Sequence, residues 1–197
     1  MERTRKIVND PVFGFLNIPD GVLFFILQHP YMQRLNRIRQ LGLSFFVYPG
    51  AMHSRFLHSL GAMHLMREAI GSLREKGVEI TDNEATASMA AILLHDVGHG
   101  PFSHVMEHTL VEGITHEEIS LMMMEKMRDE LAEQDGELLN LAIAIFKDEY
   151  PKHFLHQLIS SQLDVDRLDY LCRDSFFCGV TEGSVASARI LKMMNVT

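Results

Sequence analysis

The chain has 197 residues, with 18 lysines and arginines against 26 aspartates and glutamates, and therefore a formal net charge of −8. Its length fits one domain, and 47% hydrophobic beside 22% charged residues excludes a disordered chain. The acidic balance argues against a protein that coats nucleic acid, because such proteins present a basic surface.

Cysteine content and hydropathy bear on where the protein works. Two cysteines, Cys172 and Cys178, cannot form a disulfide framework or a four-cysteine zinc site, so we expect a reducing, cytoplasmic compartment. Residues 1–10 lack an apolar signal core, and no run of about 18 apolar residues occurs, so we expect no membrane insertion.

Helical periodicity runs through most of the chain. Apolar residues between Phe24 and Leu41 recur at three and four positions, and Pro30 is expected to divide this stretch into two helices. Residues 45–48 are too few and too β-prone for a helix, and the following Pro-Gly pair forces a turn. A long helix is predicted from about Phe56 to Lys76.

Two capping boxes of the form Thr-x-x-Glu mark later helix starts. The box at 81–84 predicts a buried helix to about Leu94, and the box at 115–118 predicts a helix to about Leu131. Further helices are predicted over 136–147, 153–172 and 184–194. Strand content is predicted to be close to zero, so the expected fold class is all-α.

A set of histidines and aspartates indicates a metal site. His95 and Asp96 end an apolar helix, where burying an imidazole and a carboxylate is costly unless a partner such as a divalent cation is present. His58, early in the long helix, offers a second imidazole. The late segment offers three candidate carboxylates: Asp164, Asp166 and Asp169. Two imidazoles with two carboxylates suit iron, manganese or another borderline first-row metal.

Acid–base and phosphate-binding residues accompany this set. His116 and Glu117 follow a helix cap as a base with an orienting carboxylate. Arg55 and Arg167 are suited to phosphate, which a guanidinium binds through a planar fork. The combination predicts metal-assisted hydrolysis of a phosphate ester. Other histidines, among them His53, are predicted to be surface or core-edge residues.

These segments resemble a known family. The stretch HDVGHGPFSH at 95–104 is similar to the signature of HD-domain metal-dependent phosphohydrolases. The wider pattern resembles their deoxynucleoside triphosphate (dNTP) triphosphohydrolase branch, to which the vertebrate SAM- and HD-domain dNTPases belong. The other matching segments are 9–11, 40–42, 48–51, 55–61, 115–117 and 164–174.

The resemblance implies an all-α HD-domain helical bundle with a metal site at its centre. The metal ligands it implies are His58, His95, Asp96 and Asp166. It therefore chooses Asp166 among the three late carboxylates. The implied cofactor is a divalent transition metal, namely iron, manganese, nickel or zinc, with Mg²⁺ on the substrate phosphates.

The resemblance also implies a nucleotide substrate and hydrolysis at its α-phosphorus, giving deoxynucleoside and triphosphate. The catalytic residues implied are His99, His104, His116 and Glu117. The substrate-binding residues implied are Gln40, Leu41, Arg55, Arg167, Tyr170 and Asp174. The two arginines would contact the phosphates. Gln40 and Asp174 would bind the sugar 3′-hydroxyl. Leu41 and Tyr170 would pack against the sugar and occupy the space that a ribose 2′-hydroxyl would need.

Domain organisation and assembly follow from the same resemblance. Residues 1–50 would form an N-terminal helical segment that contributes to the active site, and 51–197 the HD core. A helical pattern still runs near Thr197, so we expect the core to be shortened at its C-terminal end. The family assembles as dimers or tetramers, so a homo-oligomer is expected, with no membrane or nucleic-acid partner. Two alternatives stay open: action on another nucleotide or phosphoester, and a non-catalytic module that binds metal and nucleotide.

Overall fold

A β-hairpin opens the structure, a computed structural model that describes residues 6–102 and 113–196. Strand β1 (Lys6–Asp10) pairs antiparallel with β2 (Gly14–Ile18), and Leu16 and Ile18 are buried in the core. The prediction of almost no strand was wrong here. Each strand has only five residues, and the turn between them is made by a side chain, Asp10 Oδ1, which accepts two backbone N–H groups at 2.9 and 2.8 Å.

Helices make up most of the remaining described residues. The α-helices are α1 (Val22–Gln28), α2 (Pro30–Gln33), α3 (Arg55–Glu75), α4 (Asp82–Leu94), α5 (His116–Asp129), α6 (Glu133–Phe146), α7 (His153–Gln157), α8 (Val165–Cys178) and α9 (Ser187–Met193). Short 3₁₀ helices span Arg34–Arg37 and Gly42–Phe46. The all-α fold class is confirmed, with the hairpin as its exception. None of the helices in the described ranges has both the length and the apolar character that crossing a membrane requires.

Local signals placed most helix boundaries correctly. The chain breaks between α1 and α2 at Pro30, as predicted. Both capping boxes are present, because Thr81 and Thr115 each accept the N–H of the glutamate three residues later, and that glutamate binds back to the cap. Cys172 and Cys178 are free thiols.

Two boundary predictions were wrong. The single helix predicted over 153–172 is broken between α7 and α8, because Asp164 caps α8 by accepting the backbone N–H of Arg167 at 2.7 Å. Helix α8 then continues to Cys178, where Gly179 adopts a left-handed conformation with φ of 70°. Residues 45–48 were predicted to be too β-prone for a helix, but the first two of them lie in the 3₁₀ helix Gly42–Phe46. A 3₁₀ helix is a tight form that occurs in short segments.

Helix α4 is the central element of the core. Small residues such as Ala87, Ala90 and Ala91 are fully buried along it, which lets α3 and α6 pack closely on either side. Helix α8 packs on α3 in turn. As a result the first turn of α3, the C-terminus of α4 and the first turn of α8 meet inside the molecule.

Glu84 fastens the start of α4 to the loop before α7. Its carboxylate, 3% exposed, accepts hydrogen bonds from Tyr150 Oη at 2.6 Å, Lys152 Nζ at 2.9 Å and Thr81 N at 2.7 Å. Burial alone would raise the pKa of Glu84, but these hydrogen bonds outweigh it and lower the pKa to about 2. We expect Glu84→Gln to reduce the free energy of unfolding by roughly 2–3 kcal/mol at pH 7, the range for hydrogen bonds to a charged group.

The effect of Glu84→Gln should depend on pH. Because the pKa of Glu84 in the folded protein lies below its ordinary value of 4.5, its stabilisation is complete above that value and is lost as the pH falls toward 2. Urea unfolding at pH 7, 4 and 3 should show the difference from wild type shrinking with acid. Glu137→Gln, at an exposed position on α6, is the control and should change little. A difference that stays constant with pH would contradict this account.

Candidate metal centre

Four side chains from these three helix ends converge. His58 Nε2 lies 3.0 Å from Asp166 Oδ1 and 3.4 Å from His95 Nε2, and His95 Nε2 lies 3.3 Å from the same Asp166 oxygen. Asp96 flanks the group, with Oδ1 3.4 Å from His95 Nε2 and Oδ2 3.8 Å from His58 Nε2. The structure therefore brings all four sequence-predicted metal ligands together.

Hydrogen bonds on the far side of each ring orient the two imidazoles. His58 Nδ1 donates to Asp169 Oδ2 at 2.8 Å, and His95 Nδ1 donates to the carbonyl oxygen of Ile92 at 2.6 Å. Each ring therefore presents Nε2 to the shared point, as metal-binding histidines do when a carboxylate or carbonyl fixes the tautomer. Two such nitrogens and two carboxylates fit a divalent transition metal.

The electrostatics of the cluster favour a positive charge at its centre. Burial lowers the pKa of His58, but hydrogen bonds to Asp166 and Asp169 outweigh it and raise the pKa to about 10. The pKa of His95 is also raised against burial, chiefly by the charge of Asp96. Burial raises the pKa values of Asp96 and Asp166, yet the neighbouring histidines bring both well below the ordinary value. The same carboxylates that attract protons here would attract a metal cation, whose binding would displace those protons.

The geometry distinguishes Asp166 from its neighbour Asp164. Both oxygens of Asp164 accept backbone N–H groups, from Arg167 and from Ser161, each at 2.7 Å. That carboxylate is therefore used as a helix cap. Asp166, in the first turn of α8, faces the imidazoles instead.

The turn after α4 carries one of the residues predicted to be catalytic, His99, and a second, His116, lies against it at the start of α5. Asp96 Oδ1 lies 3.3 Å from His99 Nε2, and the His99 ring stacks on His116 at 3.9 Å between centroids. Burial lowers the pKa of His99 to about 4, so its imidazole is neutral at pH 7. Glu117 is exposed in the first turn of α5, and His104 lies outside the described residues.

Several residues that the sequence did not single out hold this turn. Ser120 Oγ accepts the N–H of Gly98 at 2.8 Å and donates to the carbonyl of His95 at 2.9 Å. A Cβ at Gly98 would lie 2.1 Å from the carbonyl oxygen of His116, so α5 packs directly against the turn. Arg34 donates to the carbonyls of Val97 and His99 from the other side. Among these residues, only Gly98 could have been noticed from the local sequence, because it is a glycine between two histidines, His95 and His99.

A cavity of about 410 Å³ opens beside the cluster. It is lined by Arg39, Gln40, Leu41, Gly42, Leu43, Ser44, Arg55, Phe102, Tyr170 and Asp174. Of the residues predicted to bind substrate, only Arg167 is missing from this lining; it is exposed, with its guanidinium 5.9 Å from the Tyr170 ring centre. Arg55 joins cavity and cluster, because its Nη1 lies 2.5 Å from Asp96 Oδ2.

One end of the cavity is polar. His53, predicted to be a surface or core-edge residue, is 1% exposed, with Nε2 2.7 Å from Asp174 Oδ1 and its ring stacked on Phe177 at 4.7 Å. It therefore fixes one oxygen of Asp174. Gln40 Oε1 is buried without a hydrogen-bond partner in the described part of the chain, so this end offers an acceptor for a ligand.

Residues 55–174, which contain the cluster and four of the residues that line the cavity, match the family model described as the HD domain. The chain belongs to the HD-domain family. The crystal structure of a phosphohydrolase from Bacteroides thetaiotaomicron is similar to the structure of this chain, with a TM-score of 0.93 and 66% sequence identity. The match covers 98% of this chain and 47% of that chain.

Curated relatives extend the comparison. Uncharacterized protein YwfO of Bacillus subtilis is 34% identical over 96% of this chain and 44% of its own length. The deoxynucleoside triphosphate triphosphohydrolase SAMHD1 homolog of Dictyostelium discoideum is also 34% identical, over 90% of this chain and 37% of its own length. The chain thus spans less than half the length of each of these relatives.

Proposed function

We propose that this HD domain hydrolyses deoxynucleoside triphosphates to deoxynucleoside and triphosphate. The observation that carries the proposal is the continuity of cavity and cluster through Arg55, which lines the cavity and contacts Asp96. A nucleotide lying in the cavity can therefore reach the four metal-binding side chains with its phosphates. The name of the Dictyostelium relative supports the substrate class.

The sugar would bind at the polar end of the cavity. The second oxygen of Asp174 would accept the single proton of the 3′-hydroxyl, since His53 occupies the first, and the Gln40 side-chain amide would contact the same hydroxyl. Leu41 and Tyr170 pack against the sugar face that carries C2′. A ribose 2′-hydroxyl would be buried there against apolar groups, which disfavours ribonucleotides.

The α-phosphate would lie beside the four ligands, with Mg²⁺ on the outer phosphates. The transition metal, when bound, supplies Lewis-acid polarisation and lowers the pKa of water. Arg55 would neutralise phosphate charge at the cavity side, and Arg167, whose guanidinium lies 5.9 Å from the ring centre of the cavity-lining Tyr170, would contact the outer phosphates. His116, stacked on the neutral His99, would protonate the leaving 5′-oxygen, and Glu117 would orient the His116 imidazole; a catalytic role for His104 stays a prediction.

The direct test is product analysis. The chain is incubated with Mn²⁺ and each of the four dNTPs, and ³¹P NMR identifies the inorganic product. Tripolyphosphate with an equal amount of deoxynucleoside is expected. Pyrophosphate or orthophosphate would show that a bond other than the one between the 5′-oxygen and the α-phosphorus is broken, and would contradict the proposal. Turnover of other phosphoesters alone, or metal and nucleotide binding without turnover, would replace this proposal by one of the two alternatives. Light scattering on the same sample tests the proposed homo-oligomer.

Sugar discrimination provides a sharper prediction. Tyr170→Ala should reduce the preference for dGTP over GTP in kcat/KM by about 10–100-fold, because the ring no longer occupies the space beside C2′. Tyr48→Ala is the matched control, since that tyrosine is 44% exposed and does not line the cavity. Equal preferences in wild type and Tyr170→Ala would rule out this placement of the sugar.

A further inference from the structure

A buried row of polar side chains runs from the N-terminal hairpin to the metal centre. Arg173 Nη1 donates to Asp10 Oδ2 at 2.7 Å, while its Nε and Nη2 donate to the two oxygens of Asp169 at 2.9 and 2.8 Å. Asp169 Oδ2 in turn accepts from His58 Nδ1 at 2.8 Å. We call these four residues the buried polar row; none is more than 1% exposed.

The fold keeps space for this row. Gly61 of α3 faces the pair formed by Asp169 and Arg173, and a Cβ there would lie 1.9 Å from Asp169 Oδ1 and 2.2 Å from Arg173 Nη2. Only a glycine therefore lets α8 bring the pair so close to α3. Buried charges are costly to separate from their partners, so each member is held in place by the next.

Asp10 closes the row at the hairpin. Its Oδ2 binds Arg173, and its Oδ1 accepts the turn N–H groups of Val12 and Phe13. One carboxylate therefore fixes both the hairpin turn and the third side of the guanidinium. With Asp10 in place, the fork of Arg173 is held in the orientation that engages Asp169 through two parallel hydrogen bonds.

We propose that Asp10 is a positioning residue for the metal centre, acting through Arg173 and Asp169 on the orientation of His58. The proposal rests on the metal-binding part of the proposed function and not on the dNTP substrate. It makes the hairpin part of the scaffold of the metal site, although Asp10 contacts none of the four predicted ligands.

The test is the Mn²⁺ affinity of the metal-free chain, measured by isothermal titration calorimetry. Asp10→Asn retains an oxygen for the turn and places an NH₂ group against Arg173, so it breaks the row at one point. We expect a roughly 3–10-fold weaker affinity, a size typical of coupling through packed polar networks. The control is Asp20→Asn, which alters the exposed ion pair of Asp20 with Lys6 on the same hairpin and should leave the affinity unchanged. Wild-type affinity in folded Asp10→Asn would overturn the proposal.

A double-mutant cycle separates positioning from general destabilisation. Asp169→Asn should weaken Mn²⁺ binding by about 10–100-fold, as loss of a partner to a ligating histidine does. If Asp10 acts through Asp169, the double variant binds no more weakly than Asp169→Asn alone. Additive losses would show a merely structural role and overturn the proposal. Failure of dNTP hydrolysis would leave this result untouched, since the readout is affinity for the metal alone.

Folding of the variants is checked by thermal melting. If Asp10→Asn does not fold, Asp10→Ser takes its place, because serine also caps a turn but does not reach Arg173. If neither folds, hydrogen exchange on the unaltered chain gives the reciprocal measurement. Coupling requires Zn²⁺ to slow exchange at the turn amides of Val12 and Phe13 more than at the amide of Glu84, which caps the end of α4 opposite to the metal centre. Equal slowing at both places would overturn the proposal.

Discussion

Replacing Asp166 with alanine is expected to remove the bound metal and to abolish hydrolysis. Asp166 Oδ1 lies 3.0 Å from His58 Nε2 and 3.3 Å from His95 Nε2, so it is shared by both imidazoles. Its loss should weaken Mn²⁺ affinity by more than about 100-fold. Mutating a residue that only hydrogen-bonds to a metal ligand already weakens metal affinity by about 10–100-fold, and loss of a ligand itself should weaken it more. Calorimetric titration and elemental analysis of the purified variant measure this loss.

Asp164→Ala is the matched control, the same substitution two residues earlier. Asp164 caps α8 and does not face the imidazoles, so its loss should lower the free energy of unfolding by about 1 kcal/mol. Its metal content should stay at the wild-type level. Comparable metal loss in the two variants would mean that the first turn of α8, and not the Asp166 carboxylate, is what the site requires.

This pair of aspartates also shows where sequence reasoning reached its limit. The motif at 95–104 and the helical spacing around His58 were enough to predict an all-α fold with a histidine–aspartate centre. Spacing alone did not choose among the three late carboxylates, because all fall within one and a half helical turns. The choice depends on where α8 begins, and the prediction merged α7 and α8 into one helix.

Contacts between distant segments were beyond the reach of periodicity. Asp10 and Arg173 are 163 residues apart, and the hairpin that presents Asp10 was not predicted. The contact of Arg34 with the turn after α4 could not be predicted either, because its partners are the backbone carbonyls of Val97 and His99, and every residue type has a backbone carbonyl. His53 looked like a core-edge histidine because its partner, Asp174, comes 121 residues later. Local sequence therefore indicated candidate donors, the family resemblance selected four of them, and the tertiary fold supplies the contacts that orient their side chains.

Arg55 provides the second large expected effect, a loss of catalysis with the metal retained. Its guanidinium, 3% exposed, binds Asp96 at 2.5 Å and lines the cavity, and its Nε is buried without a hydrogen-bond partner in the described ranges. It is therefore placed to hold a phosphate oxygen while it holds the carboxylate of Asp96, one of the predicted metal ligands. Arg55→Ala should lower kcat/KM for dNTP hydrolysis by about 10²–10³-fold, the usual effect of removing one donor that stabilises developing charge.

Two comparisons make the Arg55 prediction specific. Arg55→Lys keeps the charge but loses the planar fork, so its activity should fall between those of wild type and Arg55→Ala. Arg39→Ala removes the same charge from the same cavity without touching Asp96, and should cause a smaller loss because the Arg39 guanidinium lies over the Phe45 ring, 4.0 Å from its centre. Metal content measured on all three variants must match wild type, since none removes a ligand. If Arg55→Ala loses metal in proportion to activity, Arg55 acts by supporting Asp96 and not by binding phosphate.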